Sequence, residues 1–336
     1  MPPAAPMTSP PGTAAWLGNW AVTVDVAGAR MGGAARLNTE LKRYLLRSAR
    51  ADVRIIGSEH QVSPAWLLRR ELMRPRHGRF VALNNVSFLT SGKERWTLIR
   101  NALHFLTQDE MQSLDPAVRA SAQREARAVR ASALRADVLV APCTAMAERI
   151  CHVLPVVARR TVVRPHPVSA DSIPDLPRDA AILCPILFSP YKRMESRLRE
   201  LVAVLEAHAP VTLRVTADPG EVPPDLREHS AVEFVGRLTG ARLRELWGRS
   251  RAIYFPTTLE SFGYPLAEAR ASGHPVIACE TPQNREIAGH ALCGFLPGDA
   301  DSLQAAVERA LTTRIAADPE PFDPDSYFAW LLGESK

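Results

Sequence analysis

Two glutamates eight positions apart, Glu260 and Glu268, sit in the stretch "YFPTTLESFGYPLAEARASGHPVIACE". A carboxylate accepts two hydroxyl hydrogens at once, which suits the vicinal diols of sugars and ribose. Between them, Gly263 has no Cβ to keep a phosphate from the backbone, and Pro265 suits the first position of a helix. Free N–H groups and the helix dipole at such an amino end favour an anion. The spacing places Glu260 in the loop and Glu268 in the first turn of the helix, so the pair could grip opposite ends of an extended ligand. On spacing alone a plainer reading stays open, in which Glu268 complements the dipole and Glu260 is solvated.

These residues need a strand before them and a helix after them. The strand "RAIYFP", the loop "TTLESFGY" and a helix running to Gly273 put the loop at the carboxyl end of a strand, where open parallel sheets bind ligands. Strands and helices alternate on both sides, from "WAVTVDVAG" and "GARMGGAARLNTELKRYLLR" through "ADVRIIGS", "RFVALNNVSFL" and "ADVLVAPC" to "AAILCPILF", "VTLRVTA", "AVEFVG" and "PVIACE". This predicts an α/β chain of two doubly wound, Rossmann-like domains facing a cleft. The expected divisions are a tail at 1–13, a first domain at 14–168, a second at 169–320 and a last helix at 321–336. The Pro-rich stretch 162–179 reads as the linker. Asp115 and Pro116 are an N-cap and first position for an Ala/Arg helix, and Asp301 with Gln304 reads as a capping box. Trp330, on the last helix, needs a surface to cover, and the first domain is a candidate.

A chain of 336 residues is long for one core, and 46% hydrophobic with 23% charged residues is a soluble globular composition. "MPPAAPMTSPPG" has neither a basic nor an apolar signal region, and no apolar run approaches the ~18 residues of a membrane span, so a cytoplasmic location is expected. Five cysteines without C-x-x-C spacing read as buried thiols. Residues 1–168 carry 24 Lys and Arg against 12 Asp and Glu, whereas residues 169–336 carry 17 against 24. The basic half has no run of five basic residues and no interleaved aromatics, which argues against nucleic acid; contact with an anionic membrane surface stays open. The D-x-D matches at 299–301 and 323–325 fall at a helix cap and before the last helix, and no metal is expected there.

The wording "LESFGYPLAEARASGHPVIACE" resembles the signature of retaining nucleotide-sugar glycosyltransferases of the GT-B fold, a family that includes sucrose-phosphate synthases and phosphatidylinositol mannosyltransferases. The resemblance extends over nearly all of the second domain and more weakly over the first. It implies a nucleoside diphosphate sugar as co-substrate, no cofactor, and a glycan, lipid phosphate or small natural product as acceptor. It assigns Glu260 to the donor sugar, Glu268 to the ribose, and the amides of Ser261, Phe262, Gly263 and Tyr264 to the sugar and diphosphate. Val235 and Gly236 would contact the base by backbone. Lys192 would neutralise the diphosphate with Arg193 beside it, since Leu187 stands where relatives usually carry an Arg. Gly32 and Gly33, after Gly28, would form the diphosphate-side turn, although their spacing is not G-x-G-x-x-G. His104, in "LHFLTQDEM", matches the position of a His beside the reacting sugar; a lone His in an apolar run is as readily a core residue. The implied catalytic residues are therefore His104, Lys192 and Glu260. Two alternatives stay open: a nucleotide-sugar 2-epimerase of the same fold, and a binding subunit with little catalysis.

Overall fold

The computed structural model describes residues 21–30, 32–72, 78–169, 173–186, 194–206 and 211–333. The first domain carries β1 (Val22–Asp25), β2 (Val53–Ile56), β3 (Arg79–Ala82), β4 (Glu94–Leu98), β5 (Val138–Ala141) and β6 (Thr161–Val163). Among them run α1 (Gly32–Ser48), α2 (Pro64–Leu72), α3 (Gln108–Gln112), α4 (Pro116–Ala133) and α5 (Thr144–Val153). The second carries β7 (Asp179–Cys184), β8 (Thr212–Val215), β9 (Val232–Phe234), β10 (Ser250–Phe255), β11 (Val276–Cys279) and β12 (Leu292–Phe295). Its helices are α6 (Met194–Leu205), α7 (Pro224–Arg227), α8 (Gly240–Arg249), α9 (Tyr264–Ser272), α10 (Pro282–Ala288) and α11 (Ala300–Thr312), followed by α12 (Pro324–Leu332).

Each domain is one six-stranded sheet, ordered β2-β1-β3-β4-β5-β6 and β12-β11-β10-β7-β8-β9. Every strand pair is parallel. The central strands β1, β10 and β11 are buried almost throughout and mostly apolar or β-branched, with Asp25 closing β1 and Ser250 and Arg251 opening β10. That is the pattern a parallel sheet covered on both faces requires. Two expectations of the sequence need correction. The cap of α11 is Asp299, whose Oδ1 accepts from the Ser302 amide at 2.9 Å, while Gln304 turns instead to Glu308. Strands β4 and β6 go unannounced in the sequence; the last two residues of β6, Val162 and Val163, open the stretch read as linker.

The last helix returns to the first domain. Phe328 and Leu331 of α12 are fully buried, and Phe328 packs on Tyr44 of α1 at 5.4 Å between ring centroids. Trp330 meets Trp96 of β4 edge-on at 5.1 Å. Arg79 lies over Trp96 and donates to the carbonyls of Trp330 and Leu331 at 3.2 and 3.0 Å. These two carbonyls belong to the last turn of α12, where Trp330 otherwise receives only a long 3.4 Å contact from the Gly333 amide, so a cation there satisfies them and favours the dipole. A continuous apolar cluster therefore runs from the first domain through Phe322, Tyr327 and Phe328 to Phe262 and Tyr264 of the second.

Candidate functional site

In a doubly wound sheet, loops at the carboxyl ends of strands part where the strand order reverses, leaving a crevice. The reversals here fall between β1 and β3 in one sheet and between β7 and β10 in the other. The loops leaving all four strands line one cavity of about 910 Å³ between the domains. Its first-domain wall is the turn after β1, with Gly28, Gly32 and Gly33, together with Asn84, Asn85 and Arg100. Its second-domain wall is Pro185 and Ile186 after β7, Arg237 and Leu238 after β9, and Thr257 with Leu259 to Pro265 after β10.

The first wall hangs on one buried carboxylate. Asp25, at the end of β1, accepts from the Ala27 amide at 3.0 Å, from Asn84 Nδ2 at 2.9 Å and from Arg70 Nη1 at 2.6 Å. Trp66 Nε1 adds a longer contact at 3.2 Å. Arg70, only 1% exposed, uses its other amino group on the carbonyls of Val86 and Ser87. One ion pair thus ties the glycine turn and the Asn84 loop to α2.

The second wall is shaped by glycine. Gly263 caps α9 with φ of 80°, and a Cβ there would come within 2.9 Å of Leu266. No side chain caps this helix; Pro265 has no N–H and the Leu266 amide turns back to the Gly263 carbonyl at 2.9 Å, so of its first turn the Tyr264 amide is left for another acceptor. Gly33 answers Gly263 from across the cleft: a Cβ on Gly33 would sit 2.8 Å from the Tyr264 ring. The role of Gly33 is therefore close domain approach, a reason the turn alone does not reveal.

Gly32, Gly33, Glu260, Ser261, Phe262, Gly263 and Tyr264 all line the cavity. Glu268 does not. Because α9 starts at Tyr264, Pro265 is its second residue and Glu268 lies in the second turn, not the first, which removes the simple dipole reading. Arg36 of α1 donates to Glu268 Oε2 at 2.6 Å and lies beside the Tyr264 ring. Burial raises the Glu268 carboxyl above its ordinary range, and Arg36 pulls it part of the way back. Arg36 does line the cavity, so it separates Glu268 from the space in which ribose was expected.

His104 is turned away from the cleft. Its ring faces Glu125 of α4 at 3.7 Å and Asn101 at 3.5 Å, and burial holds its pKa below the usual histidine range. It does not line the cavity, although Asn101, Ala102 and Leu103 just before it do. Val235 and Gly236 also lie off the cavity. Their amides are already given to Val215 and Ala217, at 3.0 and 3.2 Å, and their neighbours Arg237 and Leu238 reach the cleft instead. Leu187, Lys192 and Arg193 lie outside the described residues; Ile186 and Met194, on either side, both line the cavity.

The cleft also holds two groups that sequence reasoning passed over, Arg100 and His166. Arg100 closes the apolar strand stretch "WTLIR", and His166 lies in the Pro-rich linker; neither sits in a motif. His166 is 1% exposed, packs edge-on against Phe262, and has its pKa pushed down to about 3 by burial. His274, beneath α9, is likewise held down to about 4. Both are neutral in the folded protein, whereas the unfolded chain takes up protons below the ordinary value near 6.5. Their stabilising effect is complete above pH ~6.5 and is lost as the pH falls toward the folded values, at about 1.4 kcal/mol per pH unit for each group. Urea unfolding of His274→Asn is therefore expected to show a shallower loss of stability between pH 6.5 and 4 than the native chain. An unchanged slope would show that His274 is charged in the fold.

Two facing doubly wound sheets with a ligand-sized cleft at their switch points define the GT-B architecture. Residues 180–313 match the family model described as Glycosyl transferases group 1. Over 128 residues the chain is 28% identical to an uncharacterized glycosyltransferase of Methanocaldococcus jannaschii, covering 36% of this chain and 33% of that protein. Over 84 residues it is 31% identical to the O-antigen chain mannosyltransferase RfbU of Salmonella typhimurium, covering 25% and 24% of the two chains. The chain thus matches a third or less of the length of these curated relatives. Among solved structures, Anabaena Alr3699/HepE in complex with UDP and glucose superposes with a TM-score of 0.61 at 14% identity, over 94% of this chain and 99% of that one. The fold is shared with the solved structure, and the likeness in sequence to the glycosyltransferase family model lies in residues 180–313.

Proposed function

We propose that the protein moves a sugar from a nucleoside diphosphate sugar to an acceptor hydroxyl, with retention of anomeric configuration and without a metal. The observation that carries this reading is the loop from Glu260 to Tyr264, which opens an uncapped helix into the cleft at the switch point of the second sheet. In this reading the diphosphate lies at the amino end of α9, with Lys192 and Arg193 supplying the countercharge. Glu260 holds hydroxyls of the transferred sugar. The buried Thr257 hydroxyl, which has no partner and also lines the cavity, is a further donor for it. Among the described residues no group of three His, Cys, Asp or Glu comes together as a metal site.

As the bond between the sugar carbon and the phosphate oxygen breaks, positive charge grows on the sugar and negative charge on the leaving group, which the helix end and Lys192 stabilise. The acceptor oxygen bonds to the same face of that carbon, and its proton passes to the departing phosphate oxygen. Glu260 positions the sugar and takes no proton.

The test is a panel of UDP-, GDP-, ADP- and dTDP-sugars offered to the native protein and to Glu260→Gln, scored for binding, sugar transfer, epimerisation and hydrolysis. Transfer from one of these donors is expected, slowed at least about tenfold by the substitution, as loss of a charged hydrogen bond implies. Epimerised product, binding without turnover, no binding at all, or an unaffected variant would each overturn the proposal.

A further inference from the structure

The least accounted-for charge in the cleft is Arg100. Its backbone is held from both domains: the amide donates to Asn85 Oδ1 at 2.6 Å, and the carbonyl accepts from Ser261 Oγ at 2.6 Å. Asn85 takes a positive φ of 68° to present that acceptor. The side chain is half-buried, with its Nε out of reach of water, and burial pushes its pKa below the ordinary arginine range. Among the described residues no carboxylate acts on its charge; the titratable groups within its electrostatic reach include the phenols of Tyr264 and Tyr327, which burial keeps neutral. A cation in such surroundings costs several kcal/mol of desolvation unless something supplies the opposite charge.

Its neighbours lack partners as well. Arg100 Nε, His166 Nε2 and the Tyr264 hydroxyl are buried without a hydrogen bond, and all three residues line the cavity. The His166 and Tyr264 rings stack at 6.0 Å, and both lie within electrostatic reach of Arg100. Tyr327 places its hydroxyl 3.4 Å from His166 Nδ1. With that hydroxyl donating to Nδ1 of the neutral ring, Nε2 carries the hydrogen. Each unpartnered group then has a hydrogen to donate, a guanidinium N–H, an imidazole N–H and a phenol O–H, and only the phenol oxygen can also accept. A neutral sugar hydroxyl would present a hydrogen as well as lone pairs to them. A carboxylate or phosphate oxygen presents lone pairs only, with the charge Arg100 lacks.

We propose that Arg100, His166 and Tyr264 form a subsite for an anionic group, a carboxylate or phosphate, carried by the substrate unit at the reacting centre. The Ser261 contact sets this subsite beside the loop that holds the donor sugar in the proposed function, on which this inference rests. The charged group can belong to the transferred sugar, as in a uronate, or to the acceptor, as in a phosphorylated one.

The test measures calorimetric affinities of the full chain for paired probes: UDP-glucuronate against UDP-glucose for the donor source, and glucose 6-phosphate against glucose, with UDP present, for the acceptor source. UDP, GDP, ADP and dTDP alone are measured alongside. In one of the pairs the anionic probe is expected to bind at least tenfold tighter, and Arg100→Gln is expected to abolish that preference while Arg100→Lys retains most of it. His166→Gln and Tyr264→Phe, which leave the charge in place, are expected to reduce it, and they serve if Arg100→Gln does not fold. Absence of preference in both pairs, or a preference that survives Arg100→Gln, overturns the subsite. A loss of nucleoside diphosphate affinity in Arg100→Gln without a change in preference places the arginine on the diphosphate and also overturns it. If the protein binds none of the nucleoside diphosphates yet prefers glucose 6-phosphate through Arg100, the subsite stands and the glycosyltransferase reading fails.

Discussion

Asp25→Ala is expected to lower folding stability by about 3–5 kcal/mol, because it leaves the guanidinium of Arg70 buried without its counter-ion. Arg70 and Asp25 are 1% and 0% exposed, so water cannot take over the role of the lost carboxylate. The Ala27 amide and Asn84 lose their acceptor in the same substitution. The melting temperature should fall by roughly 2–4 °C per kcal/mol for a domain of this size. The double substitution Asp25→Leu with Arg70→Met should recover much of the loss, since no charge is then left unpaired. A single substitution costing under about 1 kcal/mol by urea unfolding would show that Arg70 finds another acceptor. Donor affinity should fall in the double variant as well, because the glycine turn and the Asn84 loop are no longer tied together.

Glu268→Ala is expected to lower kcat/KM for the nucleotide-sugar donor about a hundredfold, equivalent to about 2.7 kcal/mol. Part of this is the ribose contact that the family resemblance assigns to Glu268, which Arg36 must move aside to allow. The rest comes from releasing Arg36, which lines the cavity and would be free to occupy it. Arg36→Ala separates the two contributions. It removes the group that pulls the buried carboxyl back toward its ordinary range, so Glu268 should hold its proton to higher pH than in the native protein. If the carboxylate is the form that binds ribose, donor affinity in Arg36→Ala should weaken at a higher pH than in the native chain. Matching pH profiles, or an undiminished kcat/KM in Glu268→Ala, would make the pair a structural bridge between the domains and nothing more.

Much of the architecture was legible because it is written in short-range patterns. Apolar runs such as those of β10 and β11 name buried parallel strands, and Asp115 with Pro116 caps α4 as those residue types require. Gly273 ends α9 in the left-handed region, where a glycine costs nothing. The elements that escaped are those whose surroundings do the work of hydrophobicity. Strand β4 opens with Glu94 and Arg95, which pair with Arg79 and Asp137, so its first half reads as a polar loop. Strand β6 has three residues and follows directly on a helical turn, too short to show a period of two.

The candidate site divides along the same line. The strand, loop and helix around Glu260 and the meeting of both domains at a cleft follow from local sterics, hydrogen bonding and the handedness of parallel connections, and the sequence by itself determined them. Which polar atoms meet in that cleft was decided only in the tertiary structure. Arg36 reaches Glu268 across 232 positions, Ser261 reaches Arg100 across 161, and His166 settles against Phe262 and Tyr264. His104, equally plausible in the sequence, faces α4 instead. A side chain's type sets what it can bind, but its desolvation and its partners depend on how the two domains close on one another, and no spacing along the chain encodes that.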